Sequence, residues 1–374
     1  MLTSTESLDP LTAPHVLDVA FPAAAGGCAA QQQPVHIIPQ GAEPRWIIVG
    51  DPRKALPVLR NWRAWNLSSR MRWGGVLFAA STRMLPRLPG VVNSRAALDS
   101  SYWRQSLEDF SDAWTAVIHV GNPSHTRKAI VFFTGADRQV KAVAKVPLAP
   151  AASAAILNEA AILDCVKRIE HLPRTLFQDA ARGIAVQSWL EGKPISRALT
   201  EAHVDLLNLL VNTGTTTRVS NYRDEIAAQI DRADLPFEPS TLARALEWLD
   251  FAEPLPGFVE HRDFAPWNLK RHPDGRVVPL DWEWSVPNSL PWQDVCRFFY
   301  TEDSHFNGPG KVWEAMRSNR LLQGYVKRFG ISPAALPALT MHYLLRVLCM
   351  DWQSGNTALA NYSFRQIKLL LAAR

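Results

Sequence analysis

The chain has 374 residues, 47% hydrophobic and 20% charged. That is globular composition with length for two or three structural units and a sizeable core, which excludes a fibrous or wholly disordered protein. The net charge of +5 is mild and does not by itself call for nucleic acid, so none is expected as a partner. Cys28, Cys165, Cys296 and Cys349 lie far apart with no CxxC pair, which speaks against a zinc or disulfide framework and points to a reducing cytoplasm.

Glu6 and Asp9 stand where a signal peptide needs basic residues, so no leader is expected. Residues 1–44, with "AAAGGCAAQQQP", read as a loop or a loosely packed extension. "RWIIVG" (45–50) reads as a strand. The segment after it carries Arg53, Lys54, Arg60, Arg63, Arg70, Arg72, Arg83 and Arg87 against one acid, Asp51, with Trp62, Trp65 and Trp73 interleaved. Two readings stay open here. One is a solvated basic face whose tryptophans dock on the next domain. The other is peripheral contact with an anionic membrane through residues 51–90, placing the protein at the inner face of the membrane. "WGGVLFAA", from Trp73, is too short to span a bilayer and reads as a buried helix turn.

From Trp114 the period becomes two. Strands are expected over 116–121, 128–133 and 140–146, then a helix over 152–168 with Ile156, Ala160, Leu163 and Val166 as its apolar stripe, then strands at "TLFQDA" and 183–192. Beyond Gly192 helices are expected over 200–219, 222–233, 240–251, 292–300, 312–328, 337–353 and 357–373. The fold class is therefore α+β. Its parts are an N-terminal extension (1–110), a sheet-rich lobe (111–190) and a helical lobe (191–374).

One window, "VEHRDFAPWNLKRHPDGRVVPLDWEW" (259–284), interrupts the helices. It gathers His261, Asp263, Asn268, Asp281 and Glu283. The turn "HPDG" and a strand over 276–280 would put Asn268 and Asp281 at adjacent strand ends. Two oxygen ligands of this kind suit Mg²⁺, which keeps several waters and shares phosphate oxygens. Asp263, five residues before Asn268, is placed to take a hydroxyl proton, as phosphoryl transfer requires. Such chemistry also wants a cation on the phosphates. Lys145, in "AVAKVPL", is the candidate, with Glu159 on the next helix as its partner; by itself Lys145 would read as an edge-strand charge.

"HRDFAPWN" followed by "PLDWEW" resembles the aminoglycoside phosphotransferase and choline kinase family, over roughly residues 112–350. The resemblance implies a protein-kinase-like two-lobe fold and ATP-dependent phosphorylation of a small-molecule hydroxyl, with Mg²⁺. It implies Asp263 as catalytic base and His261 as support for the catalytic loop. Asn268 and Asp281 would be metal ligands, and Lys145, positioned by Glu159, the phosphate contact. Gln187, Ser188, Trp189 and Leu190 would form the hinge that meets adenine, Gly121 would lie in the loop over the phosphates, and Asp294 would anchor the catalytic loop.

The chain departs from the family in carrying Arg262 after the motif histidine and in lacking a GxGxxG before Lys145. Glu283 reads equally as a group near the metal or acceptor and as a salt-bridge partner of Arg262 or Arg271. Trp267, Trp282, Trp284 and Trp292 read first as core, with a sugar or cationic ligand platform as the alternative. Only "WSVPNSLPWQ" separates Glu283 from Asp294, which leaves little room for a peptide-docking segment and favours a small acceptor. Glu302, Asp303 and Asp351 form no obvious acidic cluster, so a sugar or polyol is favoured over an aminoglycoside. A choline-type acceptor, or a kinase-like module that binds without turnover, is the alternative.

Overall fold

The computed structural model describes residues 11–23, 30–40, 42–62, 67–108, 110, 114–195, 197–306, 308 and 310–373; Cys28, Arg63 and Trp65 lie outside them. The chain divides into two compact units, residues 1–191 and 192–374. The first holds an antiparallel sheet and the second is mostly helical, an α+β arrangement.

The first unit contains α1 (Ala13–Ala20), β1 (Gln31–Gln40), β2 (Glu43–Val49), α2 (Leu56–Arg60), α3 (Leu67–Ser81), β3 (Val92–Leu98) and α4 (Ser101–Ser106). Then come β4 (Thr115–Val120), β5 (Lys128–Thr134), β6 (Val140–Pro147), α5 (Ala152–Cys165), β7 (Thr175–Asp179) and β8 (Ile184–Gln187). Among the described residues the sheet has eight strands, in the order β3-β1-β2-β4-β5-β6-β8-β7. Residues 1–110, expected as an extension, thus supply three of its strands. The loop expected over "AAAGGCAAQQQP" gives way to strand at Gln31. Gln31, Gln32 and Gln33 pair with β3, and β2 joins on the other side from Val35, so backbone bonds order a glutamine run that has no apolar alternation to announce it.

Period-two alternation sorts the side chains of this sheet. Ala142, Ala144 and Val146 face one core with Trp103, Val16 and Ile118. Val140 and Val143 face the other, with Trp46, Val117, Leu59, Val76 and Ala80. Lys145 shares the parity of Val143. The sheet face that carries Lys145 is therefore the face on which α2 and α3 pack.

On that same face His119 lies against Trp46 and Trp62, ring centroids 4.5 and 4.8 Å away. The stretch expected as a buried helix turn is buried on one side only. Val76, Ala79 and Ala80 are in the core, but Gly74, Gly75 and Phe78 are exposed, because the described residues cover α3 on one side.

The second unit opens with β9 (Lys193–Pro194) and α6 (Glu201–Leu209). There the helix expected over 200–219 stops, and β10 (Val211–Thr217) follows. "VNTGTTT" is β-branched around Gly214, whose φ of 88° no helix accommodates, and β10 pairs with β11 (Leu255–Glu260). α7 (Arg223–Ala233) and α8 (Pro239–Glu247) lie between them in sequence. The polar window begins at the end of β11 and runs through β12 (Leu269–Arg271) and β13 (Val277–Pro279), and β14 (Val286–Ser289) follows it.

Five helices follow: α9 (Gln293–His305), α10 (Val312–Arg317), α11 (Arg320–Arg328), α12 (Ala335–Gln353) and α13 (Thr357–Ala372). The single helix expected over 312–328 is two, because Asn319 caps the second by accepting from the Leu321 and Leu322 amides. Among the described residues no helix is long and apolar enough to cross a membrane.

Burial holds the His119 imidazole neutral and pushes its pKa down to about 3, and its Nε2 has no hydrogen-bond partner among the described residues. A depressed histidine stabilises the fold above its unfolded pKa and loses that contribution as pH falls through the folded value. Between about pH 6.5 and pH 3, a His119→Phe variant should therefore lose less stability than the parent in urea melts. Parallel acid limbs for the two proteins would refute this account of the site.

Candidate active site

In the first unit, Lys145 stands on β6 between β5 and β8, opposite Ile130 and Ala185, so it is on an interior strand and not an edge. It is only 5% exposed and Glu159, on α5, only 2%. Lys145 Nζ lies 2.5 Å from Glu159 Oε2. Two charges taken out of water at this depth cost several kcal/mol each, roughly, before their attraction is counted. A buried pair of this kind is therefore poor value as a stability device. The second carboxylate oxygen, Glu159 Oε1, is buried with no hydrogen-bond partner among the described residues.

The other expected residues of this unit are more committed. Gln187 pairs with both Val143 and Thr175 inside the sheet. The Ser188 amide donates to Arg174 O at 2.8 Å, and Trp189 packs edge-on against Phe132. Trp189 and Leu190 follow Ser188 beyond the end of β8. The Gly121 amide closes the β4–β5 hairpin on Lys128 O at 3.0 Å, so it is engaged within the chain. A Cβ there would meet that same oxygen at 3.0 Å, which explains the glycine by close backbone approach. The loop it opens is pinned by Arg45, donating to Val120 O and Asn122 Oδ1, and by Arg127, which bridges Gly121 O and Glu43.

In the second unit, the window folds around one buried carboxylate. Asp294, at the start of α9, accepts the His261 amide at 2.8 Å and the Arg262 amide at 2.9 Å. Arg262 has φ 64°, Asp281 φ 66° and Trp292 φ 74°, left-handed values that non-glycine residues rarely adopt. Such strain persists only where surrounding bonds over-determine it, and it gathers at functional sites.

His261 is fully buried, and its two ring nitrogens have opposite roles. Nδ1 accepts the Asp263 amide at 3.3 Å, and Nε2 faces the Leu280 carbonyl at 3.1 Å. A carbonyl can only accept, so Nε2 carries the proton and the ring is a neutral brace.

Asp263 and Asn268 meet directly. Asn268 Nδ2 donates to Asp263 Oδ2 at 2.6 Å and to Asp263 O at 3.1 Å. With that nitrogen committed, Oδ1 is the amide atom that would be offered to a metal ion. The Leu280 amide donates to Asn268 O at 2.7 Å, which brings Asp281, the next residue, beside Asn268. This backbone bond ties the residue after β13 to the residue before β12. Among the described residues no group of three or more His, Cys, Asp or Glu gathers as a metal cage. An Asn/Asp pair that leaves coordination places to water and phosphate is what Mg²⁺ favours.

The site also contains residues not foreseen from the sequence. Arg297 grips Asp263 Oδ1 with Nη2 at 2.6 Å and Nε at 3.2 Å. A signal for it existed: it lies one helical turn after Asp294, on the same face of α9. Beneath the loop, Glu260 is held by Arg346, by Ser289 Oγ at 2.6 Å and by Arg262 Nε at 3.5 Å. Arg346 keeps Glu260 well below the usual carboxylate range, while burial and the charge of Glu260 push Asp294 up.

Glu283 is half-buried, and Arg262 sits against Glu260. Trp282 and Trp292 are core; Trp267 is half-buried against His305, centroids 5.3 Å apart, and Trp284 is largely exposed.

No protein-family model matches the chain, and no curated protein sequence does. Solved structures do overlap it. A choline kinase from Streptococcus pneumoniae is 11% identical, with 68% of this chain and 92% of that one covered and a TM-score of 0.48. A macrolide 2'-phosphotransferase from Brachybacterium faecium is 17% identical, with 68% and 90% covered and a TM-score of 0.45. An aminoglycoside phosphotransferase from Alicyclobacillus acidocaldarius is 15% identical, with 72% and 94% covered and a TM-score of 0.43. In fold, the chain is similar to choline kinases and aminoglycoside phosphotransferases. At these identities and overlaps the likeness assigns neither an acceptor nor a site residue.

Removing the Asp294 carboxylate strands two buried amide donors. Asp294→Ala should cost roughly 2–5 kcal/mol in urea unfolding, with Asp294→Asn recovering part of it. A loss below about 1 kcal/mol for the alanine variant would show that the carboxylate is not what holds the loop.

Proposed function

We propose that the chain is an ATP-dependent phosphotransferase acting on a hydroxyl of a small molecule, with a sugar or polyol as the favoured acceptor. The observation that carries this reading is the Asp263–Asn268–Leu280 chain of hydrogen bonds. It joins a proton-accepting carboxylate to an oxygen pair suited to Mg²⁺ within one strained loop. The buried Lys145–Glu159 pair supports it from the first unit.

The roles follow from charge and geometry. Asp263 holds the acceptor hydroxyl and takes its proton as the oxygen attacks the terminal phosphorus. Asn268 Oδ1 and the Asp281 carboxylate would hold Mg²⁺, which neutralises phosphate charge as the bond to the leaving diphosphate breaks. Lys145 would neutralise the other phosphates, its Nζ held in place by Glu159. His261 keeps Asp263 and Leu280 in register without changing protonation. The hinge and loop roles of Gln187, Ser188, Trp189, Leu190 and Gly121, and a metal- or acceptor-side role for Glu283, stay part of the proposal.

Arg297 bears on the acceptor. With a guanidinium on Asp263, the immediate surroundings of the base are neutral overall, which does not attract a cationic amine such as choline or an aminoglycoside. The acids nearby are engaged too: Glu302 with Arg197, Asp303 with Tyr362 and the Gly310 amide, and Asp351 with Tyr300. Trp267 and His305 offer ring faces of the kind that stack on a sugar.

ADP release should be followed with ATP and Mg²⁺ across a panel of sugars, polyols and amino alcohols. Asp263→Asn should lower kcat about 10²–10⁴-fold, and Lys145→Met should lower kcat/KM about a hundredfold or more. Asp263→Asn turning over at the parental rate would end the phosphotransferase reading.

Both oxygens of Asp263 are occupied, so Arg297 must share Oδ1 with the incoming hydroxyl. Arg297→Gln should therefore lower kcat/KM for the acceptor by about tenfold or more, with Arg297→Lys intermediate. Parental kcat/KM in both variants would remove Arg297 from the positioning of Asp263.

A further inference from the structure

α3 has two apolar sides. The inner one, with Val76, Leu77 and Ala80, packs on the sheet. The outer one carries Met71, 66% exposed, and Phe78, 69% exposed. At 3.6 residues per turn, Met71, Gly74, Gly75, Phe78 and Thr82 form one stripe. A Cβ added at Gly74 or Gly75 would meet nothing within 4 Å, so no described part of the chain covers the stripe. Just beyond the helix Met84, 42% exposed, extends the apolar surface.

The surrounding charge has one sign. From Pro52 to Leu98 the sequence has no Asp or Glu. Arg70 and Arg72 flank the stripe on opposite sides of the helix, and Arg83 and Arg87 follow it; all four are exposed. A large thioether and a phenyl ring bordered by guanidinium groups make an interfacial helix: the apolar stripe enters the acyl boundary, and the cations remain with the headgroups. Nucleic acid would use the arginines and leave Met71 and Phe78 without purpose. A protein partner would meet no acid on this surface to set its register.

We propose that the outer face of α3, centred on Met71 and Phe78 and flanked by Arg70, Arg72, Arg83 and Arg87, docks on an anionic lipid bilayer. The proposal stands on this surface alone and is independent of the phosphotransferase reading.

The full chain should be sedimented with phosphatidylcholine vesicles and with vesicles containing roughly one-third phosphatidylglycerol, at low and high salt. The parent should bind the anionic vesicles at low salt, bind neutral ones at least about tenfold more weakly, and release as salt rises. The double variant Met71→Ser/Phe78→Ser should lose at least about tenfold in affinity. Arg70→Gln/Arg72→Gln should lose about tenfold on anionic vesicles only. All four positions are exposed, and an unchanged melting curve would verify that both variants fold.

Three results would overturn the proposal. The parent could fail to bind anionic vesicles at low salt. The Met71/Phe78 variant could bind them like the parent, leaving a bare polycation patch. Or the parent could elute as a dimer that this variant dissolves without vesicle binding, which would make the stripe a contact between copies.

Discussion

The polar loop after β11 depends on one buried carboxylate. Asp294 takes the amide hydrogens of His261 and Arg262, and this bends the backbone through a left-handed Arg262. Everything displayed by the loop inherits that anchor. His261 is set so that one nitrogen holds Asp263 and the other holds Leu280. Asn268 then bonds to both Asp263 and Leu280. Four residues that span two strands and a turn are thus fixed by hydrogen bonds of ordinary length, and the strain is confined to a few φ angles. The negative charge underneath is not left alone, since Arg346 neutralises Glu260 and thereby limits how far Asp294 is pushed toward its neutral form.

The sheet-rich unit shows a different economy. Its Lys145–Glu159 pair is buried on both sides, between a central strand and α5. The same sheet face supports α2 and α3 through Trp46, Trp62, Trp73 and their aliphatic neighbours. One face therefore does two jobs. It provides a dry setting in which an ammonium is electrostatically strong, and it provides the platform on which a basic segment of the chain is displayed. The hairpin loop at Gly121 is held by Arg45 and Arg127, so its backbone is ordered within the chain.

Much of the local structure was legible from residue pattern. The alternation in 116–121, 128–133 and 140–146 marks strands because each has one side chain in two facing each core. The stripe of Ile156, Ala160 and Leu163 marks α5 for the corresponding reason at period 3.6. The polar window also declared itself, since Asp, Asn and His between apolar runs are costly unless paired. Less legible were β1 and β10. A glutamine run and a threonine run have no hydrophobic period, and they become strands because neighbours complete their backbone bonds.

Residue types and spacing were enough to nominate Asp263, Asn268, Asp281, Lys145 and Glu159, because chemistry restricts which side chains can hold a proton, a hard cation or a phosphate. They were not enough to reveal Arg297 on Asp263, Arg346 on Glu260, or the one-sided burial of α3. Those partners are tens of residues apart in the chain, and the choice among many arginines is made by the packing of helices. Long-range pairing of charges is a property of the folded surface, decided by which groups burial leaves within reach of one another.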